Sequence, residues 1–155
     1  TWRAAVPLDA QAEDLAARPR VLVHRDLQSQ NVMVHDGEVT LIDFQGMRAG
    51  LAGYDVASVL YDPYVPMTSA EREELSAIYA GLAGRADPQA WQRELQAGAR
   101  QRLMQALGAY GFLGRVKGKA AFLRHIPVAA ERLAVLCEAD AAWQPLAGAI
   151  RAAAK

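Results

Sequence analysis

The chain has 155 residues, of which 52% are hydrophobic and 22% are charged, a composition that allows a domain with its own core. Seventeen basic residues balance seventeen acidic ones, so no overall field attracts nucleic acid or an anionic membrane. The one cysteine, Cys137, excludes an internal disulfide and suits a reducing cytosol. No apolar run is long enough to span a bilayer. The sequence therefore predicts a cytoplasmic protein that binds neither nucleic acid nor membrane.

The first segments alternate between helix, strand and loop. Residues 9–17 carry a helical apolar stripe, with Asp9 as a possible N-cap and Pro19 as the stop signal. The β-branched run Val21–Val23 predicts a short strand. Residues 24–31 are polar and without periodicity, which indicates a loop.

A β-hairpin is predicted next. The apolar runs 32–34 and 39–42 read as two strands, and Asp36-Gly37 between them is a strong turn signal. Both turn positions require left-handed backbone angles, which aspartate and glycine tolerate. After Asp43, the glycines at 46, 50 and 53 predict a loop.

The rest of the chain has helical composition. The expected fold class is α+β, mostly α: a helical bundle with a small β-hairpin that carries the polar loops. The first two predicted helices are 54–61, ended by Asp62-Pro63, and 69–83, opened by Ser69 and ended by Gly84. A long helix follows, opened by Asp87-Pro88 and broken up by Gly108, Gly111 and Gly114. The last two predicted helices are 120–139 and 141–154.

Three polar side chains form the candidate site. Asp26 and Asn31 lie in the loop before the hairpin, and Asp43 follows its second strand. Because a hairpin brings its two ends together, Asn31 and Asp43 should be neighbours, with Asp26 reaching the same end. Oxygen ligands without histidine or cysteine suit Mg²⁺, which keeps its other positions for water and phosphate oxygens. This assigns Asn31 and Asp43 to the metal and Asp26 to orienting an acceptor hydroxyl.

These residues carry a resemblance to kinases. Residues 24–31, beginning His24-Arg25-Asp26, resemble the kinase catalytic loop, and Asp43-Phe44-Gln45-Gly46 resembles its metal-binding segment. The segment 54–58, with Asp55, is similar to a motif of the aminoglycoside phosphotransferase family. The resemblance implies the C-terminal lobe of a protein-kinase-like fold over residues 1–155, with ATP and Mg²⁺ as cofactors. It also implies that His24 and Asp55 support the catalytic loop.

The spacing favours a small acceptor over a protein. Only eleven residues separate Asp43 from Asp55, which leaves little room for the activation segment of protein kinases. The segments 43–46, 54–58, 62–65 and 101–108 resemble the bacterial kinases of cell-wall recycling that phosphorylate N-acetylmuramate and N-acetylglucosamine. The resemblance implies a sugar acceptor.

The later helices should form the wall of the acceptor pocket. Gln101, Arg102 and Tyr110 are its candidate residues, and Arg102 could pair with a substrate carboxylate or with a neighbouring acidic side chain. Aminoglycosides, choline or homoserine are alternative acceptors, although Arg93, Arg100 and Arg102 make the region a poor match for a cationic drug.

Part of a kinase is missing from the sequence. No glycine-rich phosphate loop, strand lysine or partner glutamate is present, so the nucleotide-binding N-terminal lobe is expected outside this chain. The isolated chain is expected to turn over little or nothing. A non-catalytic binding module with a kinase-like fold is the remaining alternative, which the metal-site residues argue against.

Overall fold

A computed structural model describes residues 5–154 of the chain. These residues fall into two compact units, one of residues 18–99 and one that joins the residues up to Ala17 with those from Arg100 onward. The described chain is mostly helical with two small sheets. The predicted α+β, mostly α, fold class is confirmed in this coarse form.

The predicted hairpin lies in the first unit. Strand β2 (Val32–His35) pairs antiparallel with β3 (Glu38–Leu41), with Val32 opposite Leu41. Asp36 and Gly37 have φ angles of 49° and 79°, so both turn positions are left-handed, as the sequence predicts.

A second sheet corrects the prediction of a loop after Asp43. Strand β4 (Arg48–Gly50) pairs antiparallel with β1 (Val21–Val23), and Gly50 lies opposite Val21. A Cβ atom at Gly50 would lie 2.4 Å from a methyl carbon of Val23, so a larger residue would collide there. Gly50 therefore marks a close approach within a strand and not a loop.

Three helices belong wholly or partly to the first unit. Helix α2 (Ala52–Leu60) includes Gly53, which was assigned to the loop. Helix α3 (Ser69–Leu82) is capped by Thr68, which forms a capping box with Glu71, so the prediction that Ser69 opens it is off by one residue. Helix α4 (Pro88–Gly111) begins as predicted, with the Asp87 carboxylate accepting from the N–H groups of Gln89 and Ala90.

The second unit departs from the predicted helix ends. Helix α1 (Leu8–Ala16) has Pro7 at the N-cap position, so the assignment of Asp9 as the cap is wrong. Helix α4 continues through Gly108 and passes at Gly111 into a π-helical turn, so Gly108 does not break it.

The last segments are shorter than predicted because each begins with a 3₁₀ turn. The expected helix 120–139 is a 3₁₀ turn (Ala120–His125) followed by α5 (Ile126–Glu138), with Pro127 in the first turn of α5. A second 3₁₀ turn (Ala141–Trp143) precedes α6 (Gln144–Ala153).

The second unit has a buried core that includes the charged residue Arg100. Leu103, Leu133 and Cys137 are almost fully inaccessible. The guanidinium of Arg100 lies over the ring of Trp143, 4.7 Å from its centroid, in a cation–π contact. No helix among residues 5–154 combines the length and the apolarity that a membrane crossing requires.

Candidate active site

The hairpin brings Asn31 and the residue before Asp43 into direct contact. The N–H of Ile42 donates to the carbonyl oxygen of Asn31 at 3.0 Å, which extends the β2–β3 ladder by one pair. Asn31 is buried, whereas Asp43 is exposed. The backbones of the two predicted metal ligands therefore lie side by side at the open end of the hairpin.

Asp26 lies against Asn31. The side-chain amide nitrogen of Asn31 donates to the main-chain oxygen of Asp26 at 2.8 Å and lies 3.5 Å from its carboxylate oxygen Oδ2. The side-chain amide of Gln28 lies at the same 3.5 Å from Oδ2. Because Asn31 uses its amide nitrogen on Asp26, its amide oxygen is the atom left to bind a cation.

Asp55 holds the start of the polar loop. Its carboxylate accepts from the N–H of His24 at 2.5 Å and from the N–H of Arg25 at 2.9 Å. Arg25 has a φ of 75°, a conformation that costs free energy for a residue with a side chain. Two hydrogen bonds to a buried carboxyl group offset this cost and fix the backbone just before Asp26.

The ring of His24 ties this loop to the end of the hairpin. His24 is buried, and its Nε2 lies 2.9 Å from the carbonyl oxygen of Ile42. A carbonyl oxygen only accepts, so Nε2 is the donor in this contact. Within residues 5–154, Nδ1 is buried without a hydrogen-bond partner. The peptide groups on both sides of Ile42 are thus fixed, one by Asn31 and one by His24.

Asp62, expected as a helix end and as part of the resembling segment 62–65, makes a further loop contact that was not predicted. Its carboxylate accepts from the N–H of Ser29 at 2.7 Å and from the N–H of Tyr64 at 3.0 Å, and Asp62 is only 3% exposed. Asp55 and Asp62 therefore hold the loop at two points, one before Asp26 and one between Asp26 and Asn31. An Asp-Pro pair directly after a helix was the available signal, but it is also an ordinary helix terminator.

The donor set fits Mg²⁺. Asp43 has a left-handed backbone, with φ of 63°, and its Oδ1 accepts from the side-chain amide of Gln45 at 2.6 Å. One amide oxygen from Asn31 and one exposed carboxylate from Asp43 are hard oxygen ligands of the kind Mg²⁺ takes when phosphates complete its shell. Residues 5–154 contain no group of three or more His, Cys, Asp or Glu side chains arranged for a metal. A Mg²⁺ site with two protein ligands is compatible with that finding.

The three predicted acceptor residues lie in the other unit. Gln101 is exposed and Arg102 is half-buried. Tyr110 is 6% exposed, and its ring packs against those of Phe122 and His125, at centroid distances of 6.1 and 5.7 Å. Tyr110 is therefore a packing residue of its own unit, and a role of all three in substrate binding stays a prediction.

Apolar side chains are exposed around the hairpin. Met33, Val34 and Val39 on its strands are 52%, 68% and 65% exposed, and Phe44 beside Asp43 is 60% exposed. Exposed apolar residues in this number, next to polar groups of the site, are typical of a surface that another part of a protein or a ligand covers.

A known protein family matches most of the chain. The model of the phosphotransferase enzyme family (APH) matches residues 2–111, more than two thirds of the chain. The chain belongs to this family. The matched range contains the polar loop, the hairpin and the helix that bears Asp55.

Two similar proteins are named as N-acetylmuramate/N-acetylglucosamine kinases. An N-acetylmuramate/N-acetylglucosamine kinase of Pseudomonas putida is 28% identical over 117 residues, which are 72% of this chain and 34% of that protein. A protein of the same name from Neisseria meningitidis serogroup B is 36% identical over 64 residues, 41% of this chain and 19% of that protein. The chain thus spans about a third or less of the length of these relatives.

Proposed function

We propose that this chain is the C-terminal lobe of a kinase-like phosphotransferase that moves a phosphoryl group from ATP to a hydroxyl of an amino sugar. The observation that carries the proposal is the arrangement of Asp26, Asn31 and Asp43. The backbone contacts of Ile42 and the side-chain contact between Asn31 and Asp26 gather these residues at one end of the hairpin. Family membership and the names of the two relatives support the same reaction class.

In this proposal Asp26 acts on the acceptor. Its partly exposed carboxylate accepts the hydrogen bond of the acceptor hydroxyl and takes its proton as the phosphoryl group arrives. The transition state is loose, so the gain comes from holding the hydroxyl oxygen in line with the phosphorus. The restraints on the loop from Asp55 and Asp62 serve that positioning.

Asn31 and Asp43 would hold Mg²⁺ through their side-chain oxygens. The metal would neutralise negative charge on the nucleotide phosphates. Asp43 has a left-handed backbone two residues after the end of β3, and its side chain is open to solvent. The role of Gln45, bonded to one oxygen of Asp43, is to fix the orientation of that carboxylate.

The nucleotide-binding lobe is proposed to come from a further segment of the same protein. The chain has no glycine-rich phosphate loop or strand lysine, and it spans about a third of its Pseudomonas relative. The exposed apolar residues Met33, Val34, Val39 and Phe44 are the surface that such a lobe, with its nucleotide, would cover. We further propose a cytoplasmic role in cell-wall recycling, from the resemblance of the sequence to the amino-sugar kinases of that process.

An amine-bearing alcohol is the second candidate acceptor. A cavity of about 300 Å³ follows the segment held by Asp62, and it is lined by Val65, Pro66, Met67, Glu71, Glu74, Leu75 and Ile78. Glu71 is engaged with Thr68, which leaves Glu74 as the carboxylate that could meet an ammonium group. Aminoglycosides or choline would use such a wall, whereas a neutral sugar would not require it.

The experiment is an acceptor panel with the full-length protein and γ-labelled ATP. N-acetylmuramate, N-acetylglucosamine, choline, homoserine and an aminoglycoside are offered at equal concentrations. Transfer to the amino sugars is the expected result, and transfer only to the amine-bearing alcohols would replace the sugar assignment. Asp26→Asn should lower kcat by at least ~10²-fold, the range of a lost acid–base group. Asp9→Asn, an exposed change on α1, is the matched control.

A further inference from the structure

Glu94 is a buried carboxylate that the candidate site does not use directly. It lies on α4 and is 5% exposed. Its Oε1 accepts from the backbone N–H of Gly53 at 2.9 Å. Gly53 lies in the first turn of α2, where N–H groups have no partner within the helix and the helix dipole favours a negative charge. The carboxylate therefore caps α2 from another helix.

Two arginines compensate the charge of Glu94. Arg18 and Arg85 each have a guanidinium nitrogen 3.9 Å from Oε2. Arg18 also donates to the carbonyl oxygen of Ala90 at 3.0 Å, and Arg85 lies over the ring of Trp91 at 5.3 Å from its centroid. Both cations are thus themselves anchored on α4. The two guanidinium groups thus lie within ion-pair distance of the buried carboxylate of Glu94.

The two helices also touch through their backbones at this point. A Cβ atom at Gly53 would lie 2.8–2.9 Å from atoms of Glu94, and one at Gly98 would lie 2.6 Å from the carbonyl oxygen of Gly53. Such distances leave no space for a side chain on either residue. The N-terminus of α2 is therefore fixed against α4 by close contact as well as by the hydrogen bond to Glu94.

This contact lies two residues before Asp55 on the same helix. Asp55 holds the N–H groups of His24 and Arg25, and Asp26 is the next residue. We propose that Glu94 is a positioning residue: by anchoring the first turn of α2, it holds Asp55 where Asp55 fixes the loop that carries Asp26. The part of this inference that concerns turnover rests on the proposed function.

Hydrogen exchange in the full-length protein tests the anchor without any substrate. Glu94→Ala should speed exchange of the His24 and Arg25 amides by on the order of tenfold, the effect of one lost buried hydrogen bond. Glu94→Gln keeps an oxygen for the Gly53 N–H and should retain most of the protection. Ser76→Ala is the matched control, because the buried hydrogen bond that it removes joins Ser76 on α3 to Trp91 on α4 and involves neither Gly53 nor Asp55.

The exchange measurement tests the anchoring by Glu94, and the kinase assay tests the proposed function separately. Unchanged exchange in Glu94→Ala, or equal acceleration in Ser76→Ala, would overturn the anchor. Exchange as fast in Glu94→Gln as in Glu94→Ala would contradict an anchoring hydrogen bond. In the kinase assay, Glu94→Ala should lower kcat while KM for ATP and acceptor stays within about twofold. A wild-type protein without any phosphotransferase activity would refute the proposed function, whereas the anchor is judged by exchange alone.

Discussion

The backbone N–H of Ser29 lies 2.7 Å from the carboxylate of Asp62, 33 residues further along the chain. The other carboxylate oxygen accepts from the N–H of Tyr64 at 3.0 Å. One buried side chain thus connects the middle of the polar loop to the segment that follows α2. This relationship makes Asp62 as important to the shape of the loop as Asp55.

Asp62→Asn should impair both stability and turnover. An asparagine side chain has one acceptor oxygen where the carboxylate has two, so one of the two N–H groups loses its partner. The expected cost is about 1–3 kcal/mol in the free energy of unfolding, together with a lower kcat. Urea unfolding and steady-state kinetics of the full-length protein measure the two effects.

Asp87→Asn provides the control for that change. Asp87 also accepts two backbone N–H groups, but both bonds go to Oδ1, which asparagine retains. The control should leave kcat unchanged and cost little stability. Equal kcat in Asp62→Asn and the wild-type protein would show that the Ser29 contact does not shape the active loop.

Asp43→Asn should raise the Mg²⁺ concentration needed for half-maximal activity. The change removes a negative charge from the proposed metal site and leaves the backbone undisturbed, since asparagine tolerates the left-handed region. Asp36→Asn is the matched control: Asp36 is exposed, is also left-handed, with φ of 49°, and lies at the opposite end of the hairpin. A Mg²⁺ titration that moves equally in both variants would argue against Asp43 as a ligand.

Local patterns in the sequence predicted the hairpin and the loop before it. Asp36-Gly37 demands left-handed angles at both positions, and few structures other than a tight turn between strands supply them. A turn fixes register, so the proximity of Asn31 and the end of β3 followed from the sequence alone. The start of α4 at Asp87-Pro88 was predictable for the same reason, because cap and proline act within one turn of helix.

Contacts between distant segments were not predictable in this way. Strand β4 exists because it pairs with β1, more than twenty residues earlier, and its own composition of arginine, alanine and glycine has no strand signal. The roles of Asp62 and Glu94 depend on which N–H groups the fold brings to them. The sequence around a single acidic residue does not show which N–H groups its carboxylate will accept from.

Because α2 and α4 are in backbone contact at Gly98 but not at Gly108, we expect alanine at these two positions of α4 to have opposite effects on stability. Gly98→Ala should cost about 1–3 kcal/mol, because its Cβ would overlap the carbonyl of Gly53. Gly108→Ala should gain up to about 1 kcal/mol, because nothing lies within 4 Å and alanine is the better helix former. Thermal and urea unfolding of the two variants decide this. A Gly98→Ala protein as stable as wild type would mean that the helices lie further apart.

Cys137 should be inert in the folded protein and should make stability fall at high pH. Its thiol is fully inaccessible, and burial raises its pKa from about 9 to about 11, partly opposed by the charge of Arg100. Between these two values the unfolded chain loses the proton first, so the thiol's contribution is complete below pH 9 and is lost as pH rises through 11. The effect is on the order of 2 kcal/mol. Urea midpoints of wild type and Cys137→Ala between pH 8 and pH 11 isolate this effect, since other titrating groups cancel in the difference.

A thiol reagent at pH 8 should modify Cys137 only after unfolding, and rapid modification of the folded protein would contradict the buried position of the thiol.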